Sequence, residues 1–183
     1  YPRPFSSAEI NTLLDFAAIV EDEFLILSMA MTDALTGMPN SRGFYRSGEK
    51  RFTLSKEHNT PFSLLYFSID NLKSINEVLG SKEGDAVVKT FASTLMKCLQ
   101  EQDIAARMGG GEFAVLLSNS AEHDVDAFLF DLQTRMDALE VSGGKNYHIN
   151  YSHGVIEQDE KYTTLRDMLE ESGKVMYAEK RRR

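Results

Sequence analysis

Residues 62–70 read FSLLYFSID, a run with the length, the aromatic content and the near-continuous hydrophobicity of a buried strand. It closes on polar groups, which makes the strand end around Ser68 and Asp70 a place to look for site residues. After it, residues 71–78 and 83–99 have helical periodicity and are separated by a turn at Gly80 and Ser81. Residues 103–107 and 112–117 then read as two strands joined through Met108, Gly109, Gly110 and Gly111, a hairpin with a glycine-rich tip. An amphipathic helix over 121–139, an alternating strand over 147–156 and a closing helix over 163–180 complete the C-terminal side.

Upstream, the cluster Thr36, Gly37, Met38, Pro39 and Asn40 breaks the chain before a helix over 44–54. After Pro2 and Pro4, Ser6 followed by Glu9 has the form of a capping box. Apolar residues then recur at Ile10, Leu13, Ala17, Val20, Phe24, Leu27 and Met31, the alternating three-four spacing of a coiled-coil seam. Residues 1–32 therefore predict a stalk-like dimerising helix, and residues 33–183 a separate domain. About three heptads are only the minimum for a coiled coil, so a helix packed on its own domain remains the alternative. Strands and helices interleave around a hairpin, which predicts an α+β fold: a sheet with antiparallel pairing, flanked by helices.

Composition narrows the function classes. With 183 residues, 42% of them hydrophobic, the chain can bury a sizeable core, and its single cysteine, Cys98, allows no disulfide within it. Cytoplasmic location is the default expectation for such cysteine usage. The formal net charge of -8 argues against nucleic acid or an anionic membrane surface as partner, with Arg181, Arg182 and Arg183 read as a solvated tail. No apolar run reaches membrane-spanning length. The chain begins at Tyr1 rather than methionine, which suggests a piece of a longer protein. His58, His123, His148 and His153 lack metal-site spacing, and nothing pairs Cys98 with a base.

A glycine-rich hairpin beside a polar strand end can cradle phosphate through exposed backbone N–H groups, although glycines at a tip also serve as plain turn chemistry. The wider pattern is more specific. DALTGMPNSRGF at 33–44, SIDNLKSINEVLGSKEGD at 68–85, RMGGGEF at 107–113, YSHGV at 151–155 and SGKVMYAEK at 172–180 resemble, in order, the signatures of the GGDEF family of diguanylate cyclases. The resemblance implies a fold like the palm of nucleotidyl cyclases and polymerases, ferredoxin-like. It also implies condensation of two GTP molecules into cyclic di-GMP, with Mg²⁺ or a similar ion held by carboxylates.

At two places the sequence departs from that pattern. The family's metal-binding positions at the strand end and in the hairpin are Ser68 and Gly111, neither of which offers an anionic ligand. Loss of both should nearly abolish turnover, since one preorganised electrostatic contact typically carries about 10²- to 10³-fold in rate. Ile69 would offer only its backbone carbonyl. Asp70 and Glu112 remain. Glu112 matches a functionally important acidic place and is the one vestigial catalytic candidate; a solvated strand residue or a cation partner is the other reading of it.

The resemblance also implies a nucleotide site that is better kept. Asn76 and Asp85 match guanine-contacting positions, and a carboxylate suits guanine because it accepts from N1–H and the exocyclic amine together. The backbone at Asn71, Leu72 and Lys73 and the tip glycines Gly109 and Gly110 would meet phosphate, as would Lys180. The family's inhibitory product site reads QEQD here: Asp103 is kept, but Gln100 replaces the arginine, so product feedback by that route is not expected. PRPFSSAEINTLLDFAAIVEDEF further resembles the closing helix of a GAF-type sensor domain, which would place signal input upstream. The expectation is thus a degenerate, largely inactive module that senses GTP or regulates as a homodimer. An active cyclase and a purely structural dimerisation or docking domain are the alternatives.

Overall fold

The computed structural model describes residues 5–118, 122–143 and 148–182. Pro2, Pro4, Ala121, Tyr147 and Arg183 fall outside these, as do the side chains of Phe24, Leu27 and His123. The first helix, α1 (Ser7–Met31), begins as the Ser6–Glu9 pair dictates. Ser6 Oγ accepts from Glu9 N while Glu9 Oε2 accepts from Ser6 N. The second, α2 (Ser41–His58), is longer at both ends than its apolar pattern suggests. Asn40 accepts from the N–H groups of Arg42 and Gly43, and Asn59 ends the helix in the left-handed region at φ 51°. Caps, not periodicity, set those ends.

Strand β1 (Phe62–Ile69) is followed by α3 (Leu72–Leu79) and α4 (Ser81–Cys98), which meet at Gly80 alone. Its φ of +88° suits a residue without Cβ, so α4 starts two residues earlier than its pattern implies. Strands β2 (Ile104–Gly109) and β3 (Glu112–Ser118), helix α5 (Glu122–Gly143), strand β4 (Tyr151–Glu157) and helix α6 (Leu165–Lys180) follow. A second capping box, Thr164 with Asp167, opens α6.

The four strands lie in the order β2-β3-β1-β4, and every neighbouring pair is antiparallel. The outline read from the sequence, an α+β fold with antiparallel pairing, is the observed one. β1 is central and covered on both faces, which explains its unbroken apolar run. Leu65, Phe67 and Ile69 face Val87, Phe91 and Leu95 of α4 and Phe128 and Leu132 of α5. Phe62 and Leu64 face Phe44 and Phe52 of α2 and Leu165, Met168 and Leu169 of α6. The C-terminal end of β1 thus emerges between the start of α3 and the end of α6.

α1 behaves differently. Ile10, Leu13 and Val20 are 47%, 56% and 64% exposed, and every described side chain from Asn11 to Glu21 is exposed. Among the described residues, the seam from Ile10 to Val20 is not covered by its own domain.

Candidate functional site

The end of β1 is closed by a cation from the far end of the chain. Lys180 Nζ donates to Ser68 Oγ at 2.8 Å and to Ile69 O at 3.2 Å, and lies 3.4 Å from Asp70 Oδ1. Asp70 also accepts from Ser152 Oγ at 3.1 Å through both oxygens. Asp70 therefore shares the Ser68 side of the sheet, and its charge is already matched. Docking of α6 on β4 makes this possible: a Cβ on Gly154 would sit 2.2 Å from Ser172 O and 2.5 Å from Met176 N. Only glycine lets the helix lie that close.

Gly111 projects to the opposite side. A Cβ there would fall 2.8 Å from Leu72 Cδ2 and 3.2 Å from Ile69 Cβ, so apolar groups fill the direction an acidic side chain would take. Backbone bonding still ties the tip to β1, with Ile69 N donating to Gly111 O at 2.9 Å. Mg²⁺ demands a near-octahedral oxygen shell, usually with carboxylates in it. Here the same place offers a hydroxyl, a carbonyl and the single carboxylate of Asp70, all three already facing an ammonium. The residues present do not fit a divalent ion.

Glu112 is half-buried and meets two phenols. Its Oε2 accepts from Tyr66 OH at 2.8 Å and its Oε1 from Tyr177 OH in a short hydrogen bond. Burial and this carboxylate push the Tyr66 hydroxyl well above its ordinary value, and the bond to Glu112 pushes Tyr177 up as well. The acceptor role was not legible because Tyr66 and Tyr177 lie 46 and 65 residues away in sequence.

The hairpin tip is open. Gly109 and Gly110 have φ of +145° and +52°, with nothing within 4 Å of a Cβ on either. Arg107 holds the tip from below: Nε and Nη2 donate to Gly110 O at 3.0 and 2.7 Å, and Nη1 reaches both oxygens of Asp33 at 3.0 Å. Burial of Asp33 opposes its ionised form, but hydrogen bonds from Thr36 and Arg107 outweigh it and hold the carboxyl below its usual range. Both residues lie in the motifs quoted above; their partnership does not follow from either motif.

At the other flank, Asn71 caps α3 in the left-handed region at φ 55° without a side-chain bond to the helix. Leu72 is half-buried, and Lys73 is exposed beside Glu77. Asn76 is exposed and lies over the buried Gly84, where a Cβ would fall 2.0 Å from Asn76 Oδ1. Asp85, exposed on the first turns of α4, follows Gly84 directly, so these two residues border one α3–α4 corner. Asp103 does not face this corner. Its oxygens accept from Gln100 N and Ser118 N at 2.9 Å each, which fixes the start of β2. Burial, reinforced by Asp131, pushes the Cys98 thiol up to about 11, which leaves it a poor nucleophile.

The family model described as "Diguanylate cyclase, GGDEF domain" matches residues 30–183. The diguanylate cyclase TpbB of Pseudomonas aeruginosa is 31% identical over 180 residues, covering 94% of this chain and 41% of that protein. The cyclic di-GMP phosphodiesterase PdeR of Escherichia coli is 29% identical over 108 residues, covering 59% of this chain and 16% of that protein. The chain spans less than half the length of both. A solved structure of the GGDEF domain of TpbB superposes with a TM-score of 0.76 at 29% identity, covering 83% of this chain and 90% of that one.

Proposed function

The chain belongs to the GGDEF domain family of diguanylate cyclases, and from that premise we propose that it is a catalytically silent member that binds guanine nucleotide. In this reading it serves as a sensing or regulatory unit of a cytoplasmic cyclic di-GMP signalling protein. The observation that carries the proposal is the pair Ser68 and Gly111: the first is a neutral side chain, 4% exposed, and the second has Leu72 and Ile69 where a carboxylate would grow. Phosphoryl transfer between two GTP molecules depends on charge neutralisation by metal, and neither position can anchor one. The remaining carboxylates are committed elsewhere, Asp70 to Ser152 and Lys180, and Glu112 to two tyrosines.

The nucleotide half supports binding. Asn76 and Asp85 border the α3–α4 corner with the acceptors guanine needs. The N–H groups at Asn71, Leu72 and Lys73, where α3 begins, and the open tip at Gly109 and Gly110 suit phosphate. PdeR, a protein named for breaking cyclic di-GMP down, carries a segment similar to this one, which suits a non-synthetic role. Residues 1–32 act as the dimerising stalk that brings the signal from an upstream sensor domain to residues 33–183.

The test is incubation of the purified chain with GTP and Mg²⁺ or Mn²⁺, chromatography for cyclic di-GMP, and a melting curve with GTP. We expect no cyclic di-GMP and a raised melting temperature. Accumulating product would make this an enzyme with a rearranged site; an unchanged melting temperature would favour a purely structural dimerisation domain.

A further inference from the structure

Lys180 does more than close the end of β1. Its ammonium has three N–H donors, and Ser68 Oγ and Ile69 O accept at 2.8 and 3.2 Å. Its charge stands 3.4 Å from Asp70, whose side chain is 11% exposed. Those two oxygens belong to the positions that the family resemblance gives to the metal shell, so the ammonium lies where a divalent ion would bind. Two cations cannot share so small a space, because their repulsion is strongest where water is largely excluded. Yet the Lys180 side chain keeps 34% exposure, so it is not sealed off from an incoming anion.

We propose that Lys180 is a built-in cation, and that this domain takes GTP as the metal-free anion. A lysine binds phosphate as a point charge and needs no shell of ligands. Its position is fixed by the fold: Gly154 lets α6 lie against β4, and the helix ends with Lys180 over Ser68. The departure at Ser68 is what makes the arrangement neutral enough to persist. With Asp70 the carboxylate seen beside it among the described residues, the ammonium is balanced, whereas a further carboxylate at 68 would draw in a divalent ion. This inference rests on the guanine-nucleotide reading above.

The experiment is calorimetric titration of the 183-residue chain with GTP, once in EDTA and once in excess Mg²⁺. We expect dissociation constants that agree within about threefold, or tighter binding in EDTA. Lys180→Met should weaken binding in EDTA by about tenfold or more, the effect of losing one well-placed charge contact. A melting curve run alongside shows whether that variant folds, and the EDTA comparison on the unaltered chain needs no variant. In electron paramagnetic resonance, Mn²⁺ without nucleotide should stay free. Binding at least tenfold weaker in EDTA, Mn²⁺ held by the free chain, or a folded Lys180→Met variant with unchanged affinity would each overturn the proposal. Absence of binding in both buffers would remove the nucleotide reading itself, and this inference with it.

Discussion

Single residues at this site show how much depends on who stands opposite. Glu112 occupies an acidic place in a family motif, yet here it is the shared acceptor of Tyr66 and Tyr177. Glu112→Ala should cost about 1 kcal/mol in a denaturant titration, because the partly buried Tyr66 hydroxyl loses its partner while the more exposed Tyr177 can turn to water. In the same variant Tyr66 should ionise closer to its ordinary value of 10, visible in an ultraviolet titration. Because the value is raised, the contact contributes fully below pH 10 and is lost progressively as pH climbs from there through the raised one. Asp33 works in the reverse sense. Its carboxyl is held below the ordinary 3.8, so its contribution is present above that pH and is lost as pH falls through the lower folded value. Asp33→Asn leaves the Arg107 guanidinium, whose side chain is 14% exposed, without its anionic partner, and should cost about 1–3 kcal/mol at pH 7. Unfolding curves of variant and parent should converge only below pH 3.8.

Elements were the most legible scale, for a local reason. A capping box, an αL-tolerant asparagine or a glycine acts within four residues, so Ser6, Thr164 and Gly80 announce helix ends in one dimension. Where the outline missed, as at the start of α2, the signal was Asn40, which lay inside the stretch read only as a breaker. The hairpin tip was legible for the same reason, while Arg107 beneath it was not, since its partner Asp33 is 74 residues away. α1 illustrates a limit of another kind. Its spacing favours a coiled coil over packing on its own domain, and the structure shows only that Ile10, Leu13 and Val20 are exposed. Leu13→Glu should therefore leave the melting temperature of a monomeric sample within about 1 °C, since surface substitutions rarely exceed 0.5 kcal/mol. Sedimentation should show the parent chain dimerising with concentration and the variant failing to do so. A parent chain that stays monomeric throughout would remove the stalk.

At the scale of the whole molecule, the sheet order and the seating of α6 decide where chemistry-bearing groups meet. No local pattern places Lys180 beside Ser68, 112 residues earlier. The contact exists because β4 pairs with β1, putting Ser152 opposite Ser68, and because α6 crosses β4 at Gly154, which has no side chain to hold the helix off. Two glycines separate this long-range demand from ordinary helix propensity. Gly173 lies within α6 with nothing within 4 Å of an added Cβ, so Gly173→Ala should stabilise by about 0.5–1 kcal/mol through helix propensity alone. Gly154→Ala meets backbone atoms of α6 at 2.2 and 2.5 Å, which cannot turn aside as a side chain can. It should cost about 3 kcal/mol or more, as severe overpacking does, and lower the melting temperature by roughly 6–12 °C in a chain of this size. Because the strain would lift α6 as a unit, Gly154→Ala should also weaken GTP binding in EDTA below its own melting range, while Gly173→Ala leaves it unchanged. Equal, small shifts for both alanines would mean that α6 is not seated by backbone contact, and that Lys180 reaches Ser68 by its own flexible length.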